Sequence, residues 1–408
     1  MDDALILFDD ASARDWFPFC LTRPAGELRF GTMTLRRRAE QRFGLRCAGY
    51  VAAPHLRAFD EPWAPPVLPE APATDRGALF LSSRAAPDPD DTRLGPDPHL
   101  LAVEGVVCGW YAPAGTPRPD DAFLLDPVAH SPRLPVREVP GSLLTRPWQL
   151  VTDNVERIAA DVAWLHPDAG RPFLPHGVHV LGDAPIVVGR NVALEPGTVL
   201  DASQGPIWLD DHVVVHAFSR LAGPLYVGPG SRLLGGAYEA SSIGPVCRVR
   251  GEVAESTFLG YANKAHDGFL GHALVGMWVN LGAFTTNSDL KNNYGAVRMW
   301  TPEGVLDTGA IKLGALVGDH VKTAIGTLLN TGTVIGPGAN IFGGSPPKHV
   351  PPFAWGGADP ASHHDIDRFL DTAAVAMGRR DVVLTDAGRT LLRAARDEAV
   401  RRGWMGEP

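Results

Sequence analysis

The chain has 408 residues, 45% hydrophobic and 20% charged, so it is long enough to form two or three globular units. Its formal net charge of −9 argues against a protein that coats nucleic acid or an anionic membrane, and no apolar run has the length of a membrane span. The four cysteines stand singly without metal-ligand spacing. We therefore expect a cytoplasmic protein with no nucleic-acid or membrane partner.

The amino-terminal part, residues 1–150, has the pattern of an α/β unit. Residues 4–8 are apolar throughout and predict a buried strand, which a loop connects to a helix in "TMTLRRRAEQRF". The runs "ALFLSS" and "LLAVEGVVCGWYA" predict further strands of the sheet, separated by acidic, proline-rich loops.

A helical linker is expected over residues 151–184. The segment "PWQLVTDNVERIAADVAWL" places Val155, Ile158, Ala159 and Val162 on one face of a helix. Either Thr152 or Asp153 has the side chain needed to cap its start.

Residues 185–358 repeat with a period of six. The aliphatic positions that recur at this spacing are Val188, Leu194 and Leu200; Leu209, Val215, Leu221, Val227 and Leu233; Ile243 and Val249; Val275 and Leu281; and Leu329, Ile335 and Ile341. This period is typical of a prism with three faces of short strands, about eighteen residues to a coil, and one aliphatic side chain per face pointing to the axis. The remainder, 359–408, predicts a tail of two helices split near Asp381.

The six-residue array resembles the left-handed parallel β-helix acyltransferases, and its middle resembles the acetyltransferase half of the bifunctional bacterial enzymes that make UDP-N-acetylglucosamine. "KAHDGFLGHALVG" matches the family's K-x-x-H-L-x-Y-L-G-D-A-E-I-G from the histidine onward. The resemblance implies that His266 is the catalytic base, with Lys264 one residue nearer than the family lysine. It also implies roles for Asn280 in "VNLGAF", and for Asn293 and Tyr294 in "NNYG".

The resemblance further implies acetyl-CoA as acyl donor and a homotrimer. Two positions depart from the family motif, since Phe269 replaces its tyrosine and His272 its aspartate. Asn280 and Asn293 would orient the sugar or the acyl group, while Lys264 and Lys312 would bind phosphate or coenzyme. The alternatives are a solvated surface histidine at 266, asparagines that stabilise corners, and solvated lysines.

The amino-terminal half resembles the sugar-1-phosphate nucleotidyltransferase half of the same enzymes, and the pieces "FDD", "LTRP", "LRFG", "NSDLKNNYG" and "GTLLNTGT" extend a likeness to sugar-nucleotidyltransferase-like proteins over nearly the full length. The family's glycine-rich loop is replaced here by a loop that carries Asp9, Asp10, Arg14, Arg23 and Arg29. Arginines at the end of the first strand would clamp phosphates, and Asp9 and Asp10 are weak candidates for Mg²⁺ ligands. Alternatively, Arg23 and Arg29 pair with acids to brace the loop, and an aspartate caps a turn.

The sequence thus predicts a Rossmann-like nucleotidyltransferase unit followed by a β-helix with a helical tail. The expected reaction joins a sugar-1-phosphate to a nucleoside triphosphate with release of pyrophosphate, and the β-helix would transfer acetyl groups. Alternatively, only one half is catalytic and the other binds sugar nucleotide, or the β-helix is an oligomerising scaffold.

Overall fold

The computed structural model describes residues 3–71, 76–90, 93–357 and 362–405, which form two compact units. The first unit comprises the described residues up to Leu28, together with Met33–Pro147 and Thr385–Glu398. The second unit comprises Arg29–Thr32, Trp148–Leu384 and the described residues from Ala399 onward. The boundary expected at residue 358 lies outside the described residues, and the other expected boundaries stay predictions. Each helix in the described part of the chain is too short or too polar to cross a bilayer.

The first unit is built on a six-stranded mixed sheet, as the predicted α/β class requires. Its strands lie in the order Cys47–Val51, Ala4–Phe8, Ala78–Ser82, Val106–Ala112, His99–Val103 and Val136–Glu138. The strand Ala4–Phe8 has a parallel neighbour on each side. Its residues 5–8 are fully buried, which explains why it is apolar at every position and confirms the prediction.

Helices and short strands complete this unit. Helix α1, Leu35–Phe43, confirms the helix predicted in "TMTLRRRAEQRF"; Thr34 caps its start by accepting from the amide of Arg37, and Gly44 ends it with a φ of 64°. Helix α2 covers Asp121–Leu125. The other elements are the antiparallel strands Ala85–Pro87 and Gly141–Leu143, the strand Met33–Thr34, and 3₁₀ turns at Ala13–Asp15, Phe19–Leu21, Ala25–Glu27 and Pro54–Leu56.

The second unit is a parallel β-helix with three faces. The first face consists of Ile186–Val188, Ile207–Leu209, Leu225–Val227, Ser242–Ile243, Thr257–Phe258, Leu274–Val275, Leu316–Val317, Val334–Ile335 and His349–Val350. The second face consists of Ala193–Leu194, Val214–Val215, the first parts of Arg232–Glu239 and Arg248–Ala254, Asn263–Lys264, Lys322–Thr323, Asn340–Ile341 and Ala354–Gly356. The third consists of His179–Gly182, Val199–Ala202, Ser219–Ala222, the last parts of the two long strands, Phe269–Gly271, Thr286–Asn287 and Leu328–Leu329.

The axis of the β-helix is filled by the residues that the six-residue period identified. Leu200, Leu209, Val215 and Ile243 are all fully buried in one continuous apolar cluster, and Val188 packs against it. Each strand pairs in register with the strand of the next coil, so the backbone groups of one coil are satisfied by its neighbours. The predicted β-helix is therefore confirmed.

One coil is interrupted by an excursion over residues 288–313, between Thr286–Asn287 and Leu316–Val317. It contains the antiparallel hairpin Arg298–Thr301 and Gly304–Asp307. Because Leu274 pairs directly with Leu316, the stack continues past the excursion.

The predicted linker helix divides into α3, Gln149–Thr152, and α4, Asn154–Leu165, and Asp153 makes no side-chain cap. Two polar residues share the buried side of α4 with Ile158 and Val162, which the apolar pattern did not predict. Asn154 accepts from the amide of Gly31 at 2.8 Å, and Asp161 accepts from that of Thr32 at 2.8 Å. These bonds satisfy the backbone of the segment Arg29–Thr32, whose first two residues form a short strand.

The tail is helical in two pieces, α5 at Ile366–Gly378 and α6 at Asp386–Arg401, as predicted. Before α5, the strand Ser362–His363 pairs antiparallel with Ala354–Gly356 at the end of the second face. This strand covers an edge that would otherwise be open to further pairing.

Candidate functional site

The loop after the first strand of the sheet carries Asp9, whose side chain is only 3% exposed. Its carboxylate accepts from the amide of Ala25 at 3.2 Å. Burial raises the pKa of Asp9 from 3.8 to about 6, although hydrogen bonds from Ser83 and Ala25 oppose this rise. The loop therefore holds a buried carboxyl group whose pKa is raised by its burial.

Asp10 is fully engaged by a residue that the sequence analysis did not select. Arg84 donates to its carboxylate from Nε at 2.8 Å and from Nη2 at 2.8 Å, and Ser82 adds a hydroxyl bond at 3.1 Å. The amide of Ala13 also donates to it, which is the turn-capping alternative. No sequence signal connects residues 10 and 84, because the contact depends on the pairing of their two strands.

The arginines of this loop have different environments. Arg14 is half-buried and donates from Nε to the carbonyl oxygen of Asp9 at 2.9 Å, so its charge stands at the carboxyl end of the first strand. Arg23 forms a buried ion pair with Glu61 at 2.9 Å, which agrees with the bracing alternative. A guanidinium paired in this way has much of its charge neutralised before any phosphate arrives.

Arg29 belongs to the second compact unit and not to the one that holds Arg14. Its Nη1 donates to the carbonyl oxygen of Thr32 at 2.6 Å, and its guanidinium lies 5.2 Å from the centre of the Tyr226 ring. The phosphate-clamp role expected of Arg29 stays a prediction, and the alternative that it pairs with an acid is not seen among the described residues, since its Nη1 donates to the Thr32 carbonyl.

Among the described residues there is no preformed cluster of metal ligands around Asp9 and Asp10. The described residues contain no group of three or more histidine, cysteine, aspartate or glutamate side chains that could hold a metal ion. The carboxylate of Asp10 is neutralised by Arg84, and that of Asp9 is buried on a backbone amide. Because Mg²⁺ is commonly held by one or two carboxylates together with water and substrate phosphates, Asp9 and Asp10 stay weak predicted ligands.

In the β-helix, His266 lies at the corner between the second and third faces. Its side chain is exposed, and no other described residue hydrogen-bonds its ring. The neighbouring Asp267 forms an ion pair with Arg250 at 3.1 Å and accepts the amide of Phe284 through its carbonyl oxygen. The corner is thus held in place while its imidazole stays accessible.

Lys264 is buried, with 2% exposure, and its ammonium donates to three backbone carbonyls. The acceptors are Arg250 at 2.6 Å, Gly268 at 2.7 Å and His266 at 3.1 Å. Burial lowers the pKa of Lys264 to about 8. All three donors are used, so neither predicted alternative is right: Lys264 is neither a phosphate ligand nor a solvated lysine.

The sequence did contain a signal for this outcome. Lys264 stands six residues after Phe258 and six before Leu270, both of which are fully buried in the axial core. The six-residue period therefore places Lys264 at an inward position, where an ammonium has to find backbone acceptors.

A cluster of His272 with Asp289 and Glu255 lies at the end of the third face, close to Phe269. The ring nitrogens of His272 lie 2.9 Å from Asp289 and 3.1 Å from Glu255, so neither is available to a substrate proton. The hydrogen bond from His272, and then the charges of His272 and the exposed Lys312, lower the pKa of Glu255 against its burial. The histidine that replaces the family aspartate at position 272 thus pairs with both Asp289 and Glu255.

Phe269 covers Gly271 within this cluster. A Cβ at position 271 would lie 2.3 Å from Cζ of Phe269 and 2.6 Å from Oδ2 of Asp289, so any larger residue would have to displace these two side chains. Position 269 thereby keeps its aromatic ring against the third face.

The predicted asparagines do not gather around His266. Asn280 is exposed on the second face, where its Oδ1 accepts from Asn263 at 2.8 Å. Asn293 and Tyr294 are exposed on the excursion, and Asn293 accepts from the amide of Gly295 at 3.1 Å, as a turn-stabilising residue does. Among the described residues, no hydrogen bond connects any of the three to His266.

Residues 5–169 match the family model described as sugar nucleotidyl transferase. The chain is 28% identical over 207 residues to the bifunctional protein GlmU of Synechococcus elongatus, which covers 50% of this chain and 38% of that protein. It is 31% identical over 94 residues, 23% of each chain, to a bifunctional sugar-1-phosphate nucleotidylyltransferase/acetyltransferase of Sulfurisphaera tokodaii. The chain thus spans less than half the length of these relatives. The expected nucleotidyltransferase domain and the resemblance to the bifunctional enzymes are confirmed.

Two solved structures resemble part of the chain only loosely. The UDP-N-acetylglucosamine acyltransferases of Arabidopsis and Campylobacter jejuni are 9% and 12% identical to it, each with a TM-score of 0.25. They cover 55% and 57% of this chain, and the matches span 96% and 94% of the two structures. The strand pairing within this chain is what defines the β-helix.

Proposed function

We propose, from the premise that residues 5–169 carry a sugar nucleotidyl transferase domain, that the first unit transfers a nucleotidyl group to a sugar-1-phosphate. A phosphate oxygen of the sugar-1-phosphate attacks the α-phosphorus of a nucleoside triphosphate. The bond from that phosphorus to the bridging oxygen breaks, and pyrophosphate leaves with its electrons. The products are a nucleoside-diphosphate sugar and pyrophosphate.

The position of Arg14 is the observation that carries this proposal. Its guanidinium lies at the carboxyl end of the first strand, where open α/β sheets bind ligands, and its Nε is fixed on the Asp9 carbonyl. Arg14 in this role binds the triphosphate and stabilises the charge that develops on the leaving pyrophosphate. Arg23 is the weaker candidate, since Glu61 already pairs with it.

The test is pyrophosphate release from a panel of nucleoside triphosphates and sugar-1-phosphates by the full chain. Arg14→Ala is expected to lower kcat/KM roughly 100-fold, with partial recovery in Arg14→Lys. Arg57→Ala, which removes an exposed arginine in the same unit, is the matched control and should leave the rate unchanged. Pyrophosphate release that is equal in Arg14→Ala and the control would refute the assignment.

For the β-helix, we propose acetyl transfer with His266 as the base. The acceptor amine or hydroxyl attacks the thioester carbonyl of acetyl-CoA, the carbon–sulfur bond breaks, and the proton taken by the imidazole passes to the departing thiolate. The accessible ring of His266 on a corner held by Lys264 supports this role. Asn280, Asn293, Tyr294, Phe269 and Lys312 remain proposed substrate-binding residues.

Exposed apolar side chains support a homotrimer in which a second copy covers the corner of His266. Phe284 is 63% exposed and Ile325 78% exposed on the coils that follow it. Apolar side chains gathered on one side of a surface mark an interaction site. A neighbouring copy would also deepen a site that one flat prism face leaves open. We place the assembled protein in the cytoplasm.

Release of free coenzyme A, measured with a sugar-phosphate panel, tests the second activity. His266→Ala should abolish it while the oligomer and the thermal unfolding temperature stay unchanged, and His176→Ala, an exposed histidine elsewhere in the unit, should have no effect. If neither coenzyme A nor pyrophosphate is released while the oligomer persists, the scaffold alternative is correct. Release of only one product would mean that one half is catalytic.

A further inference from the structure

The second face presents an unbroken column of basic and amide side chains. On six successive coils the outward position is occupied by Arg232, Arg248, Asn263, Asn280, Lys322 and Asn340, which pair in register one after another. Because neighbouring strands lie about 4.8 Å apart, the column is roughly 24 Å long. It contains no carboxylate, so its positive charge is not compensated within the column.

A cavity of about 310 Å³ lies over the middle of this column. Its floor is formed by Asn263, Asn280 and Lys322. The aromatic ring of Trp278 lines one part of it, and Arg379 and Arg380, which follow helix α5, line another. His266 is not among the residues that line the cavity. Three cations and two amides therefore line one partly open cavity.

The cations of this cavity have few partners of their own. No hydrogen bond or ion pair to the ammonium of Lys322 is formed by another described residue, and burial alone lowers the pKa of this group. Nε of Arg380 is buried without a hydrogen-bond acceptor, and its Nη1 reaches only the carbonyl of Arg379 at 3.3 Å. A buried donor without an acceptor is energetically unfavourable, and an anionic ligand in the cavity would supply the missing acceptor.

Like charges also accumulate beside the cavity. The pKa of Arg248 is lowered, first by burial and then by the charges of Arg380 and Arg232. Folding brings these guanidinium groups together against their mutual repulsion, which an anion placed among them would relieve.

The amide groups are oriented to complete such a site. Asn263 donates to the Oδ1 of Asn280, and the Nδ2 of Asn280 is left as a donor for a ligand. A ligand here would meet N–H donors from amide, ammonium and guanidinium groups and no carboxylate oxygen.

We propose that this cavity binds a phosphate ester, with Lys322, Arg379 and Arg380 as the charged ligands and Asn280 as a neutral donor. Phosphate oxygens match these donors in charge and in number, and guanidinium groups bind them through paired hydrogen bonds. The site lies apart from the corner of His266. It shares Asn280 with the residues proposed to bind substrate for acetyl transfer, but it is tested by binding alone and not by either activity.

The experiment measures binding to the full chain by calorimetry, without turnover. The probes are inorganic phosphate, pyrophosphate, a nucleoside diphosphate and a hexose-1-phosphate, each in a separate titration at low and at moderate salt. At least one probe should bind, more weakly at higher salt. A preference for the nucleoside diphosphate would identify the ester as a nucleotide, and a preference for the hexose-1-phosphate as a sugar phosphate.

Lys322→Met and Arg379→Met are expected to weaken that binding at least about tenfold each. Lys348→Met removes an exposed lysine elsewhere on the β-helix and should change it less than about twofold. Arg379 is exposed, so its replacement does not depend on how the core tolerates a change at Lys322.

Two results would overturn the proposal. One is that none of the probes binds, or that both variants bind as the wild type does. The other is that Lys322→Met and Arg379→Met dissociate the oligomer, which would mean that acidic groups of a second copy fill the cavity. Failure of either enzymatic assay would leave the binding result unaffected, so the two proposals can fail separately.

Discussion

The buried ammonium of Lys264 lies 3.1 Å from the carbonyl oxygen of His266 and donates to it. The same ammonium also holds the carbonyls of Arg250 and Gly268, so one inward charge fixes the backbone on both sides of an exposed imidazole. Lys264 is thus a positioning residue for the corner of the β-helix.

Lys264→Met is expected to destabilise the second unit by about 2–4 kcal/mol, because three carbonyls lose their shared donor inside the stack. Lys312→Met, on an exposed lysine, should change stability by less than about 0.5 kcal/mol. Denaturant unfolding of both variants checks this. If the two variants unfold alike, Lys264 does not brace the corner.

The folded-state pKa of Asp9, about 6, lies above its ordinary value of 3.8, so the folded protein holds this proton more tightly than the unfolded chain. The contribution of this proton to the free energy of unfolding is fully present below pH 3.8 and is lost as the pH rises through 6. Asp9→Asn should therefore gain roughly 2–3 kcal/mol over the wild type at pH 7 and little at pH 4. Thermal unfolding across this range, with the exposed Asp121→Asn as control, measures the difference. A constant difference between Asp9→Asn and wild type would contradict the shift.

Arg84→Met should destabilise the first unit by about 3–5 kcal/mol, because the buried carboxylate of Asp10 loses its paired cation. Adding Asp10→Asn removes the unpaired charge, so the double variant should recover much of the loss. Chemical unfolding of the single and double variants measures the coupling between the two side chains. If the losses simply add, Asp10 does not depend on Arg84.

Arg23 and Glu61 form another buried pair of this unit, and Arg23→Met should likewise cost about 3–5 kcal/mol of stability. In the double variant with Glu61→Gln, stability should return in part. Pyrophosphate release by the double variant then distinguishes a structural role of Arg23 from a role in binding the triphosphate. A rate close to that of the wild type would mean that Arg23 only stabilises the fold. A rate as low as that of Arg14→Ala would mean that Arg23 binds the triphosphate.

The fold could be predicted to a large extent, because its main signal is periodic. Six-residue spacing of Leu209, Val215 and Leu221 reports the axis of the β-helix directly, and each of these side chains is fully buried there. The division of the linker helix at Asp153 could not be predicted, since Asn154 and Asp161 are buried by bonds to the distant residues 31 and 32.

The contacts of the candidate site could be predicted less well from the sequence, because its residues pair with residues on other strands and coils that are distant in the sequence. The partners of Asp10 and Arg23 are Arg84 and Glu61, and nothing local identifies them. Lys322, in contrast, directly precedes the inward Thr323 and pairs with Asn280 of the preceding coil. Aligning the coils by their six-residue period therefore places Lys322 in the outward column.

The direct pairing of Leu274 with Leu316 also determines where this chain can change length. Between these two residues the chain first completes one stacked coil, and only the excursion over residues 288–313 then leaves the stack at one corner and returns, so shortening or extending that excursion leaves the stacked strands in phase. Loss of a single residue inside a strand would instead turn the axial side chains outward. Variation in length is therefore expected to concentrate at the vertices of the prism.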